Sequence, residues 1–124
     1  MPVVEPLRGI RVVADPAAVD MMLHFLQSRT TVLRFAPDEA FVLGVTGLTI
    51  EDTQAIVEDE VGFVALTVDR DAVERHTEWP LPGEGAVAQG SIAGVPAKLA
   101  WLPDGRAWVV THAAYAAELM HRLK

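Results

Sequence analysis

The last third of the chain limits the available folds most sharply. Residues 86–93 and 97–102 are apolar runs that read as strands, and 108–110 returns as a third. Between the second and third lies Pro103-Asp104-Gly105, a turn with a mechanism. Proline presets φ, aspartate can bond the nearby backbone, and glycine accepts positive φ. Residues 113–123 then carry Tyr115, Leu119, Met120 and Leu123 at helical spacing, which predicts a terminal helix with those side chains inward.

The first two thirds repeat this alternation. Residues 9–14 read as a short strand, and Asp15-Pro16 then opens a helix, with Asp15 as N-cap and proline preset for the first helical position. To about Gln27 that helix aligns Val19, Met22, Leu23 and Leu26 on one face. Residues 30–35 and 40–45 flank Pro37-Asp38-Glu39 and predict a hairpin. Thr49 and Asp52 resemble a capping box and predict a helix to about Glu58, with Ile50 and Val57 inward. Residues 63–68 read as a strand and 69–75 as a short helix capped by Asp69. Two prolines and two glycines between 77 and 85 mark a loop.

Strands interleaved with helices and joined by hairpins predict the α+β class. The expected form is one antiparallel sheet, ferredoxin-like, with helices packed on one face. A chain of 124 residues matches a single domain, 1–124, and its 51% hydrophobic content suffices for a core.

Composition excludes several chemistries. Without cysteine there is no disulfide, thiolate metal site or thiol nucleophile. Ten Lys and Arg scattered in a chain of net charge −7 argue against nucleic-acid binding. No run is long enough to span a bilayer, and residues 1–6 lack the basic and apolar regions of a signal peptide. A soluble cytoplasmic protein with no membrane partner is expected.

The chemical residues form no familiar constellation. Of His24, His76, His112 and His121, no two have zinc-ligand spacing. His76 suits a helix C-terminus, His121 lies three residues after Glu118, and His112 falls at a strand-to-helix junction. Ser28 and Ser91 are the serine nucleophile candidates, but neither lies in a Gly-x-Ser-x-Gly elbow. Glu51, Asp52, Glu58, Asp59 and Glu60 lack calcium-loop spacing and read as a solvated face. Trp79, before the Pro-rich loop, is the best candidate for an exposed anchor. Trp101 and Trp108 flank one hairpin turn and either face each other or lie on opposite faces. No catalytic, cofactor-binding or metal site is expected; Trp79, Trp101, Trp108 and His112 form the candidate interface or ligand face.

One resemblance adds to this reading. Val61-Gly62-Phe63-Val64-Ala65-Leu66, Leu81-Pro82-Gly83 and the stretch from Ala88-Gln89-Gly90-Ser91 through Ala97-Lys98-Leu99-Ala100-Trp101 resemble the gamma subunit of heterotetrameric sarcosine oxidase. The hairpin around Gly105 and the terminal helix continue the likeness, which covers roughly half the chain. Pro37-Asp38-Glu39-Ala40-Phe41-Val42-Leu43-Gly44 is similar to a segment near that family's start. The family is related to the folate-binding aminomethyltransferases, the glycine-cleavage T-protein fold. The resemblance implies that an acidic pair meeting pterin and amine in those enzymes is replaced here by Pro96, Ala97 and Lys98, and a following Asn by Thr111-His112. It therefore implies a non-catalytic accessory subunit docking on larger flavoprotein subunits of an amine-oxidising complex. Flavin, NAD and folate would then lie on the partners, with none in this chain. Two alternatives stand beside it. One is a stand-alone module for folate-like ligands; the other is a small enzyme using His112 with a dimer partner. Self-association of the isolated chain is the other way to cover an apolar patch in residues 86–110.

Overall fold

The structure is a computed structural model that describes residues 3–26 and 30–123. Nine strands, β1 Val3–Pro6, β2 Gly9–Val13, β3 Val32–Ala36, β4 Glu39–Leu43, β5 Ile56–Glu60, β6 Phe63–Val68, β7 Ala88–Ile92, β8 Val95–Trp101 and β9 Ala107–His112, are found among the described residues. The helices are α1 Pro16–Phe25, α2 Arg70–Glu74 and α3 Ala116–Arg122, the last preceded by a 3-10 turn over Ala113–Tyr115.

The α+β class holds, with every strand pairing antiparallel. The single sheet expected from the sequence is instead two, a five-stranded sheet ordered β1-β6-β9-β8-β7 and a four-stranded sheet ordered β3-β4-β2-β5. The physical reason lies in partner choice. Local alternation shows that a segment is a strand, whereas ladder partners are set by contacts distant in sequence. Contacts divide the chain into two compact units, residues Arg8–Val61 and residues Met1–Leu7 with Gly62–Lys124.

The unit formed by 8–61 has the ferredoxin-like strand order. Its β2-α1-β3 crossover is followed by the β3–β4 hairpin, and β5 returns beside β2. Asp15 caps α1 as the sequence predicts, its carboxylate accepting from Ala17 N at 3.0 Å with Pro16 following. Val19 and Met22 are buried against Ile10, Val12, Ala40 and Val42, and Leu23 and Leu26 pack on the same cluster. The last predicted residue of this helix, Gln27, and the serine candidate Ser28 lie outside the described residues.

The predicted helix over 49–58 does not form. Residues 44–55 are irregular, and Ile56–Glu60 is an edge strand on β2, Val12 facing Val57 and Arg11 facing Glu58. A helix there would have put Thr53 and Gln54 between Ile50 and Val57 on its apolar stripe. Asp52, instead of sitting inside a first helical turn, accepts from Gln54 N and Asp15 N, each at 2.9 Å. The adjacent β-branched pair Ile56-Val57 favours an extended backbone.

The other unit buries Leu66, Val68, Ile92, Val95, Ala97, Leu99, Ala107 and Val109 on one sheet face. Val73 of α2, Leu119 of α3 and Leu123 close that core. Strand β1, unread in the sequence, pairs with β6 from Val3↔Thr67 to Pro6↔Val64, and Leu7 N extends the pairing to Phe63 O at 2.9 Å. The 3-10 start of the terminal helix leaves Tyr115 39% exposed, although helical spacing had placed it inward.

Candidate functional site

All four candidate residues lie in the larger unit, and the structure does not gather them at one point. Trp101 pairs with Ala107 and Ala100 with Trp108, so the two indoles of this hairpin point to opposite faces of the sheet. Trp101 is half-buried on the core face, donates from Nε1 to Pro82 O at 2.8 Å, and carries the Arg70 guanidinium 4.6 Å above its ring. Trp108 lies on the other face and donates to Glu5 Oε1 at 3.2 Å. Trp79 is half-buried, donates to Ser91 O at 2.8 Å, and packs so close to β7 that a Cβ at position 90 would come 2.9 Å from its ring. Each indole N–H has a partner inside the unit, the arrangement a buried or half-buried indole requires.

His112 is exposed at the end of β9 and sits opposite Phe63 of β6, their rings stacked at 4.8 Å and 25°. Tyr115 meets its edge at 6.4 Å, and Lys98 Nζ lies 5.2 Å from the Phe63 ring centre. Residues 96–98 and 111–112 are neighbours in space, because the buried Thr111 hydroxyl donates to Pro96 O at 2.9 Å. Pro96 is exposed, Ala97 is buried and Lys98 is half-buried. This corner therefore offers an ammonium group, an imidazole and two aromatic rings. Ser91 is exposed within β7, not on a strained turn, so a strand-to-helix elbow is lacking there.

The β7–β8 connection is the turn Ala93-Gly94, with φ of 50° and 79°. Ala93 holds its left-handed backbone between two bonds, its N–H to His76 O at 2.9 Å and its carbonyl accepting from Arg122 Nη1 at 2.6 Å. Arg122 also pairs with Glu118 one turn earlier on α3. A cleft of about 450 Å³ opens beside this turn, bounded by Arg75, His76, Trp79 and Ser91. Among the described residues no three His, Asp or Glu side chains are grouped to hold a metal ion.

The unit of residues 8–61 holds features that reading the sequence for catalytic motifs missed. An open cleft of about 770 Å³ runs along α1 and the 50–53 segment, continuing into a narrower one toward Phe25. Met21 is 51% and Phe25 78% exposed on that side of the helix. The signal was present in the sequence: Ala18, Met21, Met22 and Phe25 form a second i, i+3, i+4, i+7 stripe beside the one that faces the core. The Asp52 carboxyl is held below its ordinary pKa, because its oxygens accept from the Asp15 and Gln54 backbone N–H groups.

No family model and no curated protein matches the chain in sequence. Its fold, however, superposes along nearly its whole length on a solved chain. That chain belongs to heterotetrameric sarcosine oxidase from Corynebacterium sp. U-96, determined in complex with pyrrole 2-carboxylate. The TM-score is 0.72 at 13% identity, covering 98% of this chain and 81% of the other. The likeness is one of fold. It spans both compact units, and so extends beyond the half of the chain on which the sequence resemblance rested. No helix among the described residues is long and apolar enough to cross a membrane.

Proposed function

We propose that this chain is a non-catalytic accessory subunit, docking on larger flavoprotein subunits of an amine-oxidising complex like heterotetrameric sarcosine oxidase. The observation that carries the reading is the whole-chain fold likeness to a chain of such an assembly. The site chemistry supports it. At the corner where related aminomethyltransferases are expected to place carboxylates stand Pro96, Ala97 and Lys98, beside Thr111 and His112. An ammonium group cannot stabilise a cationic amine intermediate or accept a proton as a carboxylate does. Flavin, NAD and folate then belong to the partner chains, in the cytoplasm, and this chain contributes contacts to the assembly.

The test is affinity purification of the tagged chain from its native host, with co-purifying chains identified by mass spectrometry and the eluate scanned for flavin absorbance. The expected result is a large yellow flavoprotein in fixed ratio, and a colourless chain when the partner is stripped away. Recovery of the bait alone, or flavin bound stoichiometrically to the isolated chain, overturns the reading.

A further inference from the structure

Helix α1 carries more apolar surface than its own core uses. Val19 and Met22 are buried, yet Met21 and Phe25 project outward at 51% and 78% exposure on the adjoining stripe. In a split β-α-β-β-α-β unit, a second crossover helix packs beside the first on the same sheet face. Here the second crossover, residues 44–55, contains no helix, so among the described residues that flank of α1 has no neighbouring helix from its own unit. What remains is a groove floored by Ala18, Met21, Met22, Phe25 and Ile50.

Among the described residues the rim of this groove has one sign: Asp15, Glu51 and Asp52 line it, and no described Lys or Arg does. Asp52 is fixed at the rim by the Asp15 and Gln54 backbone N–H groups, from which its two oxygens accept at 2.9 Å each. Paired methionines supply an adaptable apolar floor, of the kind that accepts helices by repacking rather than by a fixed socket.

We propose that the groove docks an amphipathic helix of a partner chain, apolar on its inward face and flanked by Lys or Arg, filling the place of the missing crossover helix. The inference rests on the subunit reading for the existence of a partner, and on the groove for where and how it binds. A helix rather than a strand is specified because the 44–55 crossover, which in this kind of unit supplies a helix beside α1, contains none. Basic flanks are specified by the carboxylate rim, which would repel an acidic helix and hold a basic one in register.

The test uses the full chain, isotopically labelled, titrated with a synthetic Leu/Lys peptide whose leucines repeat at helical spacing, and with its Leu/Glu twin. The expected result is saturable shifts confined to α1 and residues 49–53 for the Lys peptide, weakened by added salt. The exposed-site variants Phe25→Glu and Met21→Glu, which keep their buried neighbours, should each lower that affinity about tenfold, as loss of an anchor does. Several outcomes overturn the proposal: no saturable binding, shifts elsewhere, equal affinity for both peptides, or unchanged affinity in Phe25→Glu. So does a concentration-dependent shift of the same residues without peptide, which would assign the groove to a second copy. Co-purification with Phe25→Glu separates the two readings. If wild type and variant recover the flavoprotein equally, the subunit reading stands and the groove falls. If wild type recovers none, the subunit reading falls and the peptide titration still decides the groove.

Discussion

Gly90 shows how one missing methyl group sets a larger side chain. A Cβ at that position would come 2.9 Å from Cε2 and Nε1 of Trp79, closer than real Cβ atoms approach. The indole rests in the space the glycine leaves, close enough to donate to Ser91 O. Gly90→Ala therefore has to push the ring away and break that hydrogen bond. We predict a loss of about 1–3 kcal/mol by urea unfolding, the range for overpacking, with a red shift in tryptophan emission. A variant as stable as wild type with unchanged emission would show that Trp79 is not held by this contact. Gly9 is more constrained, because an added Cβ would overlap Val42 O of the neighbouring strand and lie 2.9 Å from Leu43 Cα. Backbone cannot swing aside as a ring can. Gly9→Ala is expected to cost more than Gly90→Ala in the same unfolding assay.

At the scale of elements, Asp52 holds the 44–55 crossover in place of the helix that does not form. One oxygen accepts from Gln54 N within the segment and the other from Asp15 N at the start of α1. These bonds lower the Asp52 pKa, and those from Arg106, the backbone N–H first and the side chain second, lower that of Asp104. A depressed folded-state pKa means stability that is full above the unfolded value, about 3.9, and lost as pH falls through the lower folded value. Asp52→Ala should thus be less stable than wild type at pH 7 and lose less further stability between pH 5 and pH 2. Chemical denaturation across that range checks it; parallel curves for the two proteins would contradict the assignment. Hydrogen exchange should show faster opening at residues 53–55 and 15–17 in the variant.

At the scale of the molecule, the larger unit is built from both sides of the segment 8–61. Strand β1 supplies four ladder pairs to the edge of β6, Leu7 is 4% exposed, and Glu5 accepts from the Trp108 indole. Deleting residues 1–7 should remove at least the burial of Leu7, about 1.5–3 kcal/mol, and leave β6 as an uncovered edge prone to association. Thermal unfolding and light scattering test this. A truncated chain that melts as wild type does and stays monodisperse would mean β1 adds nothing to the fold.

Much of this architecture was legible locally. The strand over 63–68, the Asp15-Pro16 helix start, the hairpin around Pro37-Asp38 and the turn at Pro103–Gly105 all follow from short-range chemistry: caps, fixed φ and alternation. Ferredoxin-like order followed too, in the unit that holds β2 to β5. Of the candidate residues, the sequence placed Trp101 and Trp108 on one hairpin but left open whether they share a face, which only the register could answer. What the chain determined by itself was therefore its class, the starts of elements with a cap or a fixed turn such as Asp15-Pro16, and the absence of thiol chemistry, because these depend on residue identity and near neighbours. What the tertiary structure decided was the division into two sheets, the conversion of 56–60 from helix to edge strand, and the pairing of β1 with β6. Each of those depends on contacts across tens of residues, where local propensity differences of under about 1 kcal/mol per residue are outweighed by burial and ladder pairing.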